Sequence, residues 1–181
     1  MKTIALFGGS FDPPHLGHEA IVKALLDFKD IDKVVIMPTF LNPFKSNSMA
    51  PPELRLKWLH DIFDSYERVE VNSYEVDLQK KTPTIQSVKY LLAKYKKIYL
   101  VIGADNLATL TKWTKYDELK ELVTFIVCTR NNIDMPKNML TINIVQSVSS
   151  TDLREHMDIS KLISTCAQEI KNYYTKEKNE E

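Results

Sequence analysis

The sequence lacks several features that would assign it to a broad class of protein. Lysine plus arginine and aspartate plus glutamate each number 24 among the 181 residues, so no net charge gathers nucleic acid. No apolar run approaches the roughly 20 residues of a membrane span, and a strand-like segment stands where a signal peptide would begin. These absences disfavour nucleic-acid and membrane partners and predict a cytoplasmic protein.

Cysteine is scarce and has no motif spacing. Cys128 lies in an apolar run and Cys166 in a late helical stretch, so both are predicted to be buried, reduced thiols and not site residues. Repeats and low-complexity linkers are absent, and 44% of the residues are hydrophobic. We therefore expect a single domain over residues 1–181, with a frayed charged tail at about 175–181.

Glycine is also scarce, and three of the four glycines, Gly8, Gly9 and Gly17, fall in the stretch FGGSFDPPHLGH at residues 7–18. An apolar run precedes this stretch and a helical pattern follows it, which predicts a strand, a turn and a helix. Gly8 and Gly9 permit a sharp bend close to a ligand. Unpaired N–H groups at the helix start, together with the helix dipole, predict an anion site.

His15 and His18 stand three residues apart, so both can face one side of the new helix. Most histidines are surface or core residues without a special role. A zinc site is a second alternative, but two histidines supply only two of the ligands that a closed site needs. The adjoining turn favours phosphate groups over both alternatives, because imidazole N–H groups can donate to phosphoryl oxygens.

Apolar runs alternate with helical patterns along the rest of the chain. This order predicts an α/β protein with a Rossmann-like, doubly wound, mostly parallel sheet of five or six strands, helices on both faces and a ligand crevice at the strand ends. Trp58 is expected in the core. A short strand is also considered at residues 74–76. Strands are predicted at residues 3–7, 33–38, 68–72, 97–103, 123–128 and 141–145, and helices at 19–28, 53–63, 84–96 and 159–174.

Polar residues after these strands have a structural and a functional interpretation. Lys45, in the loop 39–52, is either solvated or reaches over the crevice. Asp105 either caps the next helix or accepts a hydrogen bond from a ribose or a metal-bound water. Trp113 has polar neighbours, so a core role is less natural for it than for Trp58, and it could stack on a planar ring.

Two helix starts carry hydroxyl groups. The segment around Thr84 is either a plain cap or receives a carboxylate or ribose hydroxyl of a ligand. Ser149, Ser150 and Thr151 are also expected as caps in any protein. Arg154 lies in the first turn of that second helix, where its planar guanidinium suits phosphoryl oxygens.

The stretch GGSFDPPHLGH resembles the signature of the nucleotidylyltransferase superfamily, whose H-x-G-H motif binds the triphosphate of ATP. Its DPPH form is similar to that of the bacterial nicotinate-nucleotide adenylyltransferases, whereas pantetheine-phosphate adenylyltransferases carry Thr in place of His15. VSSTDLR resembles the superfamily's I-S-S-T-x-x-R motif, which binds the β- and γ-phosphates. The resemblance implies catalytic roles for His15, His18 and Arg154. It implies ATP and phosphate binding by Gly8, Gly9, Ser10, Phe11, Ser149, Ser150 and Thr151.

The resemblance also implies a site for the nicotinate nucleotide, although the family patterns are only partly kept. A P-P-H-K segment reads NPFK here, so Lys45 is kept and Phe44 replaces a histidine. A T-x-D-T segment keeps Thr84 but has Gln86 and Ser87. The implied binding residues are Lys45, Thr84, Gly103, Asp105, Trp113 and Arg130, the last being all that remains of an R-P-G sequence.

The implied reaction is transfer of the adenylyl group of ATP to nicotinate mononucleotide, with Mg²⁺ carried by ATP and no metal ligand supplied directly by the protein. Its partners would be ATP and nicotinate mononucleotide, and a homo-oligomer stays open. Two alternatives remain. One is a pantetheine-phosphate or other small-molecule nucleotidylyltransferase, and the other is a sensor that binds nucleotide without catalysis.

Overall fold

The computed structural model describes residues 2–130, 139–145 and 148–180, with the backbone alone for Arg130, Asn179 and Glu180. Its strands are β1 (Thr3–Gly9), β2 (Lys33–Pro38), β3 (Val69–Val71), β4 (Lys97–Gly103), β5 (Thr124–Arg130) and β6 (Leu140–Ile144). They form one parallel sheet in the order β3-β2-β1-β4-β5-β6. The predicted doubly wound, Rossmann-like fold is thereby confirmed.

The strand order reverses between β1 and β4, which are neighbours at the centre of the sheet. Phe7 of β1 pairs with Ile36 on one side and with Val101 on the other. Since all strands are parallel, Gly9 and Gly103 end their strands at the same edge of the sheet. Open α/β sheets bind ligands where the order reverses, and the glycine-rich stretch lies at that point.

Helices cover both faces of the sheet. They are α1 (Leu16–Leu26), α2 (Pro52–Phe63), α3 (Tyr74–Asp77), α4 (Thr84–Leu92), α5 (Tyr116–Leu122), α6 (Ser150–Glu155) and α7 (Ala167–Glu180), with 3₁₀ helices at Ala104–Lys112 and Ile159–Lys161. In β1, Ala5 and Phe7 face the layer of α1, α2 and α7, while Ile4 and Leu6 face α4 and α5. Strands buried on both faces need apolar residues at every position, which explains the continuous apolar runs.

The prediction of a short strand at residues 74–76 is wrong. The side chain of Asn72 accepts a hydrogen bond from the backbone N–H of Tyr74 at 3.1 Å, and this turns the chain out of β3 into the helix α3. The alternating pattern Tyr-Glu-Val fits a strand, but β3 already forms the edge of the sheet.

Three predicted helix ends also differ from the structure. The helix predicted from residue 159 begins only at Ala167, because the Asp158 side chain caps a separate 3₁₀ turn before it. The same helix continues past its predicted end at residue 174 to Glu180, and Lys178 donates to the carbonyl of Glu155 at 2.7 Å. The helix predicted to reach residue 96 ends at Leu92.

The core contains the predicted apolar residues. Trp58 is fully buried, and both cysteines are buried thiols outside any disulfide, as predicted. Burial, followed by the charge of Asp61, raises the pKa of Cys166 to about 11, so this thiol is held in its unreactive form. No helix in the described part of the chain is long and apolar enough to cross a membrane.

Two buried charged residues fix the loops above the sheet. Arg55 donates to the backbone carbonyls of Ala50 at 3.1 Å, Thr39 at 2.9 Å and Phe40 at 2.8 Å, and also to that of Ser10. Its buried guanidinium is therefore satisfied by loop carbonyls, so Arg55 holds the loop 39–52 against the turn that follows β1 at residues 10–15 (the β1 turn).

Asp12 makes the complementary contacts. Its carboxylate accepts the backbone N–H groups of Met49 and Ala50, both at 3.0 Å, and the hydroxyl of Tyr174 on α7. Burial and the neighbouring carboxylate raise the pKa of Tyr174, so the phenol remains a hydrogen-bond donor. Asp12 thus joins the β1 turn, the loop and the last helix.

The hydroxyl of Tyr174 is expected to contribute measurably to stability. Tyr174→Phe keeps the packed ring but removes one hydrogen-bond donor from the buried carboxylate of Asp12. We therefore expect the free energy of unfolding, measured by urea denaturation, to fall by about 1.5–3 kcal/mol. Tyr173→Phe is the matched control, since its hydroxyl donates to the neutral carbonyl of Met49 at 3.2 Å. A loss for Tyr174→Phe no larger than for Tyr173→Phe would contradict this role of Asp12.

Candidate active site

The β1 turn is built around a buried aromatic ring. Phe11, with a positive φ of 50°, packs edge-on against Phe7 with ring centroids 5.3 Å apart. A Cβ at Gly9 would lie 3.2 Å from the Phe11 ring, which is why glycine suits this position. The predicted contact of Phe11 with ATP can therefore involve only its backbone, because its side chain is scaffold beneath His18, 4.8 Å away between centroids.

The structure brings His15 and His18 together at the start of α1. Their rings stack with centroids 3.7 Å apart. The Nδ1 atom of His15 accepts the N–H of Gly17 at 3.1 Å, and Nδ1 of His18 accepts the N–H of His15 at 3.2 Å. Since each Nδ1 is an acceptor in these hydrogen bonds, we assign the proton of each neutral ring to Nε2.

This arrangement corrects one prediction about the helix start. The N–H of Gly17 is bonded to the His15 ring and that of His18 to the carbonyl of His15 at 2.9 Å, so neither is an unpaired donor for an anion. The imidazoles supply the donors instead. A Cβ at Gly17 would lie 3.0 Å from the His15 ring and 3.1 Å from Val148, so glycine lets these groups pack closely.

The second motif folds directly against the first. Ser149 caps α6 by accepting the N–H of Asp152 at 3.1 Å, while the hydroxyl of Ser150 donates to the carbonyl of Pro13 at 2.9 Å. Arg154 donates to the carbonyl of Asp12 and to the hydroxyl of Thr151, the latter at 3.1 Å. Segments more than 130 residues apart in sequence thus share one surface.

Lys45 adds a further cation near this surface. Desolvation and then the charge of Arg154 lower the pKa of Lys45, which places the two cations within electrostatic reach of each other. The backbone carbonyl of Lys45 accepts a hydrogen bond from Lys81 at 2.6 Å. Two like charges held near each other favour an anionic ligand between them.

A cleft of about 1000 Å³, the first cleft, opens at the carboxyl ends of β1, β2 and β4. The loop 39–52 and the starts of α3 and α4 complete its walls. Predicted site residues that line it are Gly8, Gly9, Thr84, Gly103 and Trp113. Phe44, in the position of the family histidine, lines the same cleft with 66% of its side chain exposed.

Two polar atoms in this wall have no partner among the described residues. Thr39 Oγ1 and Trp113 Nε1 are buried, lie on residues that line the first cleft, and make no hydrogen bond within the described part of the chain. Buried polar groups in folded proteins are nearly always bonded, so unpaired ones at a cleft indicate a ligand position. Trp113 is half-buried and also packs against the core between the sheet and the helices α4 and α5, so it forms part of the cleft wall and of the core. Sequence analysis did not identify Thr39 as a site residue.

Sequence reasoning also missed Glu75. It lies in α3, lines the first cleft with 7% of its surface exposed, and accepts a hydrogen bond from the hydroxyl of Ser87. Burial raises the pKa of Glu75 to about 7. Residues 74–76 were predicted as a strand from their alternating pattern, and that pattern does not indicate that the carboxylate of Glu75 lines a cleft.

A second cleft of about 710 Å³ adjoins the first at Gly103, which lines both. Asp105 lies here with Gly17, Cys128 and Thr129. Asp105, predicted to contact the same nucleotide as Trp113, lines the second cleft, while Trp113 lines the first. The side chain of Arg130 lies outside the described part of the chain, so its contact remains a prediction.

Comparison with known proteins agrees with this geometry. The model of the cytidylyltransferase-like family matches residues 6–156, which include both phosphate motifs. In structure, the chain superimposes with a TM-score of 0.78 on the Plasmodium falciparum nicotinic acid mononucleotide adenylyltransferase complexed with NaAD, covering 97% of this chain and 98% of the other at 20% identity. At 20% sequence identity, this structural similarity establishes the fold alone.

Sequence relatives are nearer. A protein of Sulfurimonas denitrificans named "Probable nicotinate-nucleotide adenylyltransferase" is 60% identical over 98% of this chain and 97% of its own length. A protein of the same name from a Nitratiruptor species is 50% identical over 94% of this chain and 98% of its own length. The chain therefore belongs to the cytidylyltransferase-like family, and within it to the group of the nicotinate-nucleotide adenylyltransferases.

Proposed function

We propose that the protein transfers the adenylyl group of ATP to nicotinate mononucleotide, forming nicotinate adenine dinucleotide and releasing pyrophosphate. The observation that supports this function most strongly is the contact between the two motifs, in which Ser150 and Arg154 donate to the carbonyls of Pro13 and Asp12. It joins the paired imidazoles to a guanidinium and several hydroxyls on one surface, which suits a polyphosphate.

The polyphosphate of ATP would lie across this surface. His15 and His18 donate from Nε2, and Arg154 and Lys45 balance the negative charge of the phosphoryl oxygens. Donors fixed before the reaction stabilise charge that grows in the transition state, because the protein pays no reorganisation at that moment. Ser149, Ser150 and Thr151 add hydroxyls beside Arg154.

The two clefts would take the two nucleoside ends. Trp113 stacks on the pyridine ring in the first cleft, and the start of α4 at Thr84 receives the ring substituent. Asp105 accepts a hydrogen bond from the ribose of ATP in the second cleft. Because Gly103 separates the clefts without a side chain, the phosphates of both nucleotides can meet beside β1.

The chemistry is an in-line displacement. A phosphate oxygen of the mononucleotide attacks the α-phosphorus of ATP, the bond to the bridging oxygen breaks, and pyrophosphate leaves with that electron pair. The attacking phosphate is already an anion, so no general base is required. Catalysis then depends on orientation and on charge neutralisation by the residues above.

ATP would bring Mg²⁺ with it as part of the substrate, and the ion would add positive charge at the phosphates. In the described ranges, no three His, Cys, Asp or Glu side chains group closely enough to hold a metal ion. Mg²⁺ commonly keeps several waters and binds through substrate phosphates, which fits a site that offers mainly N–H and hydroxyl donors.

Measuring pyrophosphate release from ATP, separately with nicotinate mononucleotide, its amide and phosphopantetheine, tests this function against its alternatives. We expect release with the pyridine nucleotides and none with phosphopantetheine. Release with phosphopantetheine alone would identify a pantetheine-phosphate adenylyltransferase. ATP binding without release from any mixture would identify a nucleotide sensor.

His18→Ala is expected to lower kcat by roughly 10²–10³, equivalent to about 2.7–4 kcal/mol of barrier, because one phosphate donor is lost. Since the His18 ring also caps α1, thermal unfolding of the variant should be recorded beside its kinetics. His60→Ala is the matched control, as His60 lies on α2 and bonds to Asp64 at 2.9 Å. Near-normal turnover of folded His18→Ala would remove this imidazole from the mechanism.

Trp113→Ala is expected to raise KM for the pyridine nucleotide and leave KM for ATP nearly unchanged. Stacking of a planar base on an aromatic side chain contributes about 1–3 kcal/mol, which corresponds to roughly 5–150-fold in KM. Trp113→Phe keeps a ring and should recover part of the loss. An equal rise in both KM values would show that Trp113 supports the whole site and does not contact the pyridine ring.

A further inference from the structure

The first cleft contains a carboxyl group that the proposed reaction leaves without a role. Glu75 is the sole ionisable side chain that lines this cleft in the described part of the chain, and the other lining residues are neutral. Its side chain is more than nine-tenths buried, and the Ser87 hydroxyl donates to its Oε1 atom. A buried carboxyl facing a neutral cleft is costly in its ionised form.

Charged groups on the elements around α3 are engaged elsewhere or exposed. On α3 itself, Asp77 accepts the Ser73 hydroxyl and the Tyr74 hydroxyl accepts Gln86. On β2, Lys33 is paired with Glu70. On α2, Arg55 binds loop carbonyls, Lys57 is paired with Asp61 and Glu169, His60 is paired with Asp64, and Glu53 is exposed. On α4, Lys89 is paired with Glu118, and Tyr90 stacks on Tyr74.

This environment poses a problem for an acidic substrate. If the proposed function is correct, the pyridine ring enters the first cleft with a carboxylate at the end where Thr84 and Glu75 lie. No cation in the described lining balances that carboxylate. An ionised Glu75 would repel it, whereas a protonated Glu75 would donate a hydrogen bond to it.

We propose that Glu75 determines the choice between the acid and the amide of the pyridine mononucleotide, donating to the ring carboxylate when protonated and accepting from the ring amide when ionised. Ser87 orients the group. Because its hydroxyl donates to Oε1, the proton of the neutral carboxyl belongs on Oε2, the oxygen that remains to meet the ligand.

The protonation state is set by the surroundings of Glu75. Burial raises the pKa of Glu75 to about 7, and the hydrogen bond from Ser87 opposes that rise. A ligand carboxylate within hydrogen-bond reach raises the pKa further. The acid nucleotide therefore binds with uptake of a proton once the pH exceeds the pKa of the free site.

The test is the ratio of kcat/KM for nicotinate mononucleotide to kcat/KM for nicotinamide mononucleotide, measured from pH 6 to 9. Both substrates share the phosphate and the ATP site, so titrations there cancel in the ratio. We expect a constant ratio below about pH 7 and a fall of up to tenfold per pH unit above it, which levels off at the pKa of the complex.

Two variants separate this role from a structural one. Glu75→Gln keeps a donor that cannot ionise, so its ratio should not change with pH over the same range. Ser87→Ala removes a hydrogen bond that favours the ionised form, so the fall should begin at a higher pH than in the unmodified protein. Circular dichroism and thermal unfolding establish that each variant is folded, and Ser87→Ala decides the case if Glu75→Gln does not fold.

A pH-independent ratio for the unmodified protein would overturn the role of Glu75. So would a ratio that falls with pH in folded Glu75→Gln as it does in the unmodified protein, or a fall that begins at the same pH in Ser87→Ala. Failure of the proposed function itself has a different signature, because neither mononucleotide would then give pyrophosphate at any pH. If product forms but the ratio of kcat/KM values does not change with pH, only the proposed role of Glu75 is rejected.

Discussion

The site depends on the contact between the β1 turn and the start of α6. Asp12 is central to it, since its carbonyl accepts Arg154 and its carboxylate accepts the loop N–H groups of Met49 and Ala50 and the hydroxyl of Tyr174. One residue thereby fixes the positions of the β1 turn, the start of α6, the loop 39–52 and the last helix. Buried hydrogen bonds of this kind are expensive to lose, so the arrangement is held as a unit.

The sheet supplies the geometry that this contact needs. Parallel strands bring the ends of β1 and β4 to one edge, and the reversal of strand order there leaves room for ligands on both sides of Gly103. The imidazoles and Arg154 lie at the contact between the β1 turn and α6, whereas Trp113 and Glu75 line the first cleft.

The fold, the β1 turn and the helix start of α6 could be predicted because their signals are local. Apolar runs define buried parallel strands, and glycine, histidine and hydroxyl residues at a strand end or helix start define turns. The roles of Arg55 and Glu75 could not be predicted, because they depend on tertiary contacts with distant carbonyls and with Ser87. The self-capping of α1 by His15 was missed for the same reason, since it needs the ring positions as well as the spacing.

A crystal structure with a non-hydrolysable ATP analogue tests the central claim most directly. The account predicts that the β- and γ-phosphates lie between the stacked rings of His15 and His18 and the guanidinium of Arg154, with the adenosine in the second cleft. A triphosphate bound at only one of the two motifs, or seated in the cleft of Trp113, would contradict it.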